Sequence, residues 1–305
     1  MNFTAKDVQA LRERTGCGMM DCKKALTEAD GNVDKAIEIL REKGLAAVAK
    51  KAGRIASEGV VAIYNDGEVA AIVEVNSETD FVAKNADFVK FCNAVAETVA
   101  KTNPTDVEDL KTKTCPSCGE TIAEALQEKV LTIGENISIR RFYRTTRPCA
   151  DYIHGGGRIG VLTEFETDAD AKDPAFVEMG KDVCMQITAM SPQFCSQADV
   201  PAERVKEETN IVMAQIKNDP KNASKPDAII EKMAVGKLGK FYKETCLLDQ
   251  AFVKDDSISV GQYVKNVAAK MGKNIQVVAF TRFEKGEGLQ KREDDFAAEV
   301  AGMVH

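Results

Sequence analysis

Apolar residues recur at helical spacing along the first fifty positions. Val8 and Leu11 follow Thr4 and Asp7, a helix-start signature, and Ala25 and Leu26 face inward in a second segment beginning near Asp21. Val33, Ala36, Ile37 and Leu40 form a stripe behind Asn32, which can cap a third helix. Gly16 and Gly18 are expected to end the first helix and Gly44 the third. The pattern predicts a three-helix domain over residues 1–45. Residues 46–58, rich in alanine and basic side chains, read as a linker with helical tendency.

From residue 59 the period changes. Val60 to Tyr64, a turn at Asn65-Asp66-Gly67, and Val69 to Val75 predict a β-hairpin. Phe88, Phe91, Cys92, Val95 and Val99 mark a helix with one buried face, and Ile122, Leu126 and Val130 mark another before a strand from Ile137 to Phe142. The chain then repeats itself. Residues 64–95 match residues 152–183 at eleven of 32 positions without a gap, against about two expected by chance. The repeated residues include Glu78-Thr79-Asp80, which returns as Glu166-Thr167-Asp168. Ile133-Gly134-Glu135-Asn136-Ile137 pairs with Met271-Gly272-Lys273-Asn274-Ile275 at an offset larger by 50 residues, so the second copy carries an insertion. The fold class predicted is α+β: a first core copy over 59–143 and a second over 144–285. The insertion, at about 197–248, is expected to be an antiparallel helical hairpin. Its first helix follows Pro201 and carries Val205, Val212 and Ile216; its second follows Pro226 and carries Ile229, Ile230, Met233, Leu238 and Phe241. Gly239, the second glycine of Gly236-Lys237-Leu238-Gly239-Lys240, should weaken the second helix by ~1 kcal/mol.

Composition narrows the function classes. The 305 residues carry a net charge of -7, which argues against direct nucleic-acid binding. No apolar run is long enough for a membrane helix, and residues 1–7 lack the apolar core of a secretory signal, so a cytoplasmic location is expected. The nine scattered cysteines read as reduced thiols rather than a disulfide framework. The two histidines, His154 and His305, leave few acid–base groups, and no cofactor is expected.

Most motifs with chemical potential lack their context. Gly155, Gly157 and Gly160 fit a dinucleotide-loop spacing, but a strand pattern follows where a helix is required. No Gly-Lys is followed by Ser or Thr as a phosphate-binding loop of the Walker type demands. Cys115-Pro116-Ser117-Cys118 is one ligand pair where structural zinc needs four ligands; it is a candidate metal or redox site, with unpaired surface thiols as the expected state. Thr79-Asp80-Phe81-Val82 is the most informative segment. Asp80 could cap a helix and Phe81 could be core, yet Phe81 has Ala169 as its counterpart in the second copy. A ring that the repeated scaffold does without is suited to anchoring an interface.

The run from Gly31 to Leu40 resembles the third helix of ubiquitin-associated-type domains, which bind partners near their first interhelical turn; Met19 and Met20 stand there, either as adaptable contacts or as core. Much longer stretches resemble the elongation factor Ts family. They are Leu11 to Leu26, Thr79 to Asn85, Ile133 to Asn136, His154 with Arg158 to Val161, and Phe241-Tyr242 leading to Phe252 to Asp256. The resemblance implies a ubiquitin-associated-like domain, a duplicated core with a hairpin insertion, and a C-terminal helical module over residues 286–305. It also implies a non-enzymatic guanine-nucleotide exchange factor for elongation factor Tu. Thr79, Asp80, Phe81 and Val82 would dislodge magnesium from the GTPase, with Arg12, Met19, Met20, Ile133, Gly134 and His154 as further contacts. A homodimer or a 2:2 complex is left open. Cys115, Cys118 and Gly239 depart from what the family leads one to expect. Two other readings stand beside this one: an interaction adaptor without exchange activity, and an enzyme using Cys118 or His154, for which no base–nucleophile pair is visible.

Overall fold

A computed structural model of the chain describes residues 3–15, 17–219 and 226–291. These residues mix helix and strand and fall into two compact units. Of the described residues, one unit takes those up to Thr145, with Ile153–Gly160 and 283–291; the other takes Thr146–Tyr152 and those within Val161–Arg282.

The first unit opens with α1 (Ala5–Thr15), α2 (Met19–Glu28) and α3 (Val33–Lys51). The Thr4 amide and hydroxyl both donate to the Asp7 carboxylate, at 2.7 and 2.8 Å, and Asn32 caps α3 by accepting from the Lys35 amide at 3.0 Å. Val8, Leu11, Cys17, Cys22, Ala25, Leu26, Ala36 and Leu40 form the small core between these helices. Val33 is not part of the buried stripe: it stands exposed on the first turn of α3. The second helix begins at Met19, two positions ahead of expectation, with Gly18 at its N-cap.

The unit continues with β1 (Glu58–Asn65), β2 (Ala70–Ser77), α4 (Asp80–Ala83), α5 (Ala86–Thr102), α6 (Val107–Thr112), α7 (Ile122–Ile133) and β3 (Ser138–Thr145). The strands form an antiparallel sheet in the order β1-β2-β3, with Val60 opposite Val75 and Val73 opposite Phe142. Alternation aims Val60, Val73 and Val75 at α5 and α7, where Phe88, Phe91, Val95, Val99, Ile122 and Val130 complete the core.

The expected stop of α3 at Gly44 is corrected. The helix runs on to Lys51. Ala47 and Val48 extend its apolar stripe one turn and pack on the sheet-and-helix core, while Gly44 lies against Gln127 of α7. Burial of that extra turn outweighs the ~1 kcal/mol helix penalty of one glycine. Residues 46–51 of the expected linker are therefore helical, and only 52–57 form an irregular connection.

Glu74 of β2 is fully buried. It accepts from Arg140 Nη1 at 3.0 Å, Arg141 Nε at 2.6 Å, Asn76 Nδ2 at 3.1 Å and the Gly286 amide at 2.8 Å. Lys285 pairs with Glu58, and Arg141 also stacks over the Phe283 ring at 4.2 Å. The segment 283–288 is thus fastened to the first sheet. Of the expected C-terminal module, residues 292–305 lie outside the described residues.

The remaining elements are β4 (Cys149–His154), β5 (Ile159–Thr167), α8 (Pro174–Met190), α9 (Ala202–Asn218), α10 (Asp227–Thr245), β6 (Ala251–Phe252), β7 (Asp255–Ser259), α11 (Val260–Met271) and β8 (Ile275–Glu284). Their larger sheet has the order β4-β5-β8, and Phe165 meets Phe176 of α8 edge-on at 5.1 Å. Helices α5 and α8 are both 17 residues long and begin 88 positions apart; each ends on a left-handed residue, Asn103 and Ser191. Helices α7 and α11 are both 12 residues long and begin 138 positions apart; each ends on a left-handed glycine, Gly134 and Gly272.

Between α8 and α11, α9 and α10 pack through Val212, Ile216, Ile230 and Ala234, with Met213 and Met233 beside them. Ile229, expected inward, is exposed. At the foot of this helix pair the Gln193 and Phe194 amides donate to Thr245 O at 2.8 and 3.1 Å, and the Leu247 amide donates to Phe194 O at 2.9 Å. The tip, 220–225, lies outside the described residues.

Candidate partner-binding site

The glycines with dinucleotide-loop spacing serve packing. Gly155, Gly156 and Gly157 turn the chain from β4 into β5 at positive φ. A Cβ on Gly157 would come within 2.7 Å of Val60 Cγ1, and one on Gly160 within 2.5 Å of Val61 Cγ1. A strand follows, so no helix N-terminus is presented to a phosphate.

The segment after β2 is different. Thr79 caps α4, accepting from the Val82 amide at 3.4 Å; the cap is Thr79 and not Asp80. Val82 and Ala83 turn into the core, whereas Phe81 projects with 81% of its surface exposed. Leaving a phenyl ring in water forgoes ~1.5–3 kcal/mol of burial, which makes it available to a partner. Asp80 and Lys84 pair across one helical turn at 2.6 Å. That hydrogen bond holds the Asp80 carboxyl below, and the Lys84 ammonium above, their ordinary ranges.

The turn is braced from the end of α7. Glu135 accepts from the Glu78 amide at 3.1 Å, the Thr79 amide at 3.0 Å and the Thr79 hydroxyl at 2.7 Å. Glu78 in return accepts from the Asn136 amide at 2.6 Å and pairs with Arg54 at 3.3 Å. Gly134, left-handed at φ +86, lets α7 stop where Glu135 can reach the turn. Phe81, Val82, Asn85, Asp87, Glu128, Lys129, Thr132 and Ile133 line one open cleft. The structure therefore places Phe81 and Val82 in one cleft with Ile133, and ties Thr79 to Glu135, next to Gly134.

The other candidates lie elsewhere. Arg12 is exposed on α1, and Met19 and Met20 are exposed on the first turn of α2, outside the helical core whose sulfur positions are Cys17 and Cys22 instead. His154 ends β4 beside the glycine turn. None of these four lines the Phe81 cleft. Glu135, Glu78 and Arg54 were not singled out from the sequence. The available signal was that Glu135 has Lys273 as its counterpart, a charge reversal in an otherwise repeated run.

The Cys115 and Cys118 expectation is corrected. The two sulfurs are bonded to each other. Cys115 is fully buried with Leu110 and Ile122, whereas Cys118 is exposed. Among the described residues no group of three or more His, Cys, Asp or Glu could hold a metal ion. The other seven cysteines form no disulfide, and all but Cys149 are buried.

A family model described as Elongation factor TS matches residues 78–287. An elongation factor Ts of Clostridioides difficile (strain 630) is 51% identical over 307 residues, covering 99% of each chain. One from Clostridium perfringens (strain SM101 / Type A) is 50% identical over 306 residues, again covering 99% of each. The chain belongs to the elongation factor Ts family. Another member of the family, from Syntrophotalea carbinolica, is 46% identical over 307 residues and covers both chains fully. The family model spans the Phe81 turn, the end of α7 and the glycine turn after His154. Among the described residues, no helix is long and apolar enough to cross a membrane.

Proposed function

We propose that this chain is a guanine-nucleotide exchange factor of translation elongation, acting on elongation factor Tu in the cytoplasm without covalent chemistry of its own. The observation that carries the reading is the exposed Phe81 on a turn that Glu135 holds in place. A phenyl anchor on a preorganised turn can enter an apolar pocket of a GTPase without first paying to order itself. Thr79, Asp80, Phe81 and Val82 then displace the magnesium ion that neutralises the phosphates, and the nucleotide leaves faster. Exchange requires preference for the nucleotide-free GTPase over the loaded one, and that coupling is reciprocal. Ile133 and Gly134 extend the same contact, since Ile133 shares the cleft with Phe81. Exposed Arg12, Met19 and Met20, and His154, are further contacts in this reading.

The finer architecture belongs to the proposal. Residues 1–45 act as a ubiquitin-associated-like three-helix domain whose last helix extends to Lys51. Residues 59–143 and 144–285 are two copies of one α+β core, supported by the matching lengths and left-handed ends of α5 with α8 and α7 with α11. The helix pair within 197–248 is an insertion in the second copy, and a homodimer or 2:2 complex is one form the complex can take.

The test is release of a fluorescent GDP from elongation factor Tu. Phe81→Ala should leave the melting transition in place and slow stimulated release roughly 30-fold or more, the effect of losing a ~2–4 kcal/mol anchor. Full stimulation by the variant would refute the wedge. Tight binding of the wild-type chain with no acceleration would make it an adaptor.

A further inference from the structure

The Cys115–Cys118 pair plays no part in the partner site, and its two residues have opposite environments. Cys115 is fully buried, packed in the first unit's core, whereas Cys118 is exposed at the head of the connector between α6 and α7. The Cys118 amide donates to Cys115 Sγ at 3.2 Å, and the Ser117 hydroxyl stands 3.4 Å from the same sulfur. The loop does not depend on the sulfur bridge. The Cys115 amide donates to Glu120 O at 2.8 Å, the Gly119 amide to Cys115 O at 2.9 Å and the Ile122 amide to Lys113 O at 3.0 Å. Thr114 and Thr121 close it as an isolated bridge.

We propose that Cys115 and Cys118 are a thiol–disulfide exchange site for low-molecular-weight thiols, attacked at Cys118 and releasing Cys115. A small thiolate attacks Cys118 Sγ, because Cys118 is the exposed residue of the pair and Cys115 is fully buried. The S–S bond breaks and its electron pair goes to Cys115 Sγ, where the Cys118 amide and Ser117 hydroxyl donate to the new thiolate before it takes a proton from solvent. A second small thiolate attacks the first thiol's sulfur in the mixed disulfide, the electron pair of that S–S bond goes to Cys118 Sγ, and Cys118 takes the second proton from solvent. Two small thiols are oxidised to one disulfide, and the protein pair gains two electrons and two protons. Because the loop's backbone bonds survive, both redox states keep Cys115 seated, and the cycle reverses.

The test equilibrates the full chain in a series of reduced and oxidised glutathione mixtures, quenches with acid, alkylates and digests with trypsin. The peptide 114–129 holds only these two cysteines. Its reduced fraction should follow the glutathione ratio and give the same curve from either direction. A peptide that stays wholly disulfide or wholly dithiol across the series overturns the proposal. In oxidised glutathione, Cys115→Ser should acquire an adduct at Cys118 at least ten times faster than Cys118→Ser acquires one at Cys115. Equal or inverted rates overturn the assignment of the attacked sulfur, and the wild-type titration stands without either variant.

Discussion

Glu135 offers the sharpest test of how the Phe81 turn is held. Its carboxylate accepts three hydrogen bonds, from the Glu78 amide, the Thr79 amide and the Thr79 hydroxyl, at 3.1, 3.0 and 2.7 Å. Hydrogen bonds to a charged acceptor contribute ~1.5–3 kcal/mol each when water cannot replace them. Here the residues are only partly buried, so water offsets most of the loss. Glu135→Ala should therefore lower the opening free energy of this turn by about 2 kcal/mol, which is roughly 30-fold faster hydrogen exchange at the Glu78 and Thr79 amides. Glu135→Gln retains an acceptor oxygen without the charge and should show about half that free-energy change. The assay is amide exchange read by NMR, with thermal unfolding alongside. Stimulation of GDP release should fall by less than for Phe81→Ala, because the ring is still present. Unchanged protection at Glu78 and Thr79 would refute the bracing role. Equal loosening of β1 and β2 would show that Glu135 supports the whole unit instead.

Replacing residues 199–243 by a short glycine–serine loop should leave a cooperative melting transition, because the foot of the helix pair is already closed by bonds from 193–194 to 245 and from 247 to 194; loss of cooperativity in calorimetry would show the pair to be part of the core. Gly236→Ala and Gly239→Ala should each stabilise α10 by up to ~1 kcal/mol, since a Cβ meets nothing within 4 Å at either position; a lower denaturation midpoint would contradict this. Carbon NMR should place the Asp80 carboxyl midpoint below 3.8, and Lys84→Ala should move it back up. The sign follows from the shift: what Asp80 contributes to α4 is present above its unfolded value of 3.8 and is lost as pH falls through the lowered folded value. Lys84 is the mirror case, fully contributing below 10.5 and lost as pH rises through its raised folded value, so the pair should be insensitive to pH between about 5 and 9.

Local signals were legible in the sequence wherever their physics was local. Thr4 with Asp7, and Asn32, cap helices through residues three positions away. The apolar spacing of Phe88, Phe91, Val95 and Val99 identified the buried face of α5. Phe81 stood out because Ala169 occupies its counterpart, and the structure leaves its ring in solvent. What was not legible depends on partners distant along the chain. Gly44 looked like a stop because its contact, Gln127, is supplied by a helix that begins almost eighty residues later. Glu135 reaches back to Glu78 and Thr79 across more than fifty residues, and no periodicity records such a bond. Cys115 was misjudged as a surface thiol because its loop is polar in sequence but buries one of the two bonded cysteines.

The fastening of residues 283–288 to the first sheet sets an order on synthesis. Residues 283–291 belong to the same compact unit as β1 and β2, yet the intervening unit must be made before they exist. Until residues 285 and 286 have been made, Glu74 lacks the Gly286 amide and Glu58 lacks Lys285. A growing chain emerging at ~5–20 residues per second waits roughly 10–40 seconds between making Glu74 and making its last partner. During that interval the first sheet holds a carboxylate that is not yet fully satisfied, so the unit is at its most open while the second unit is being made. Chains cut short before residue 283 never close it, and they should be the ones that proteases remove first.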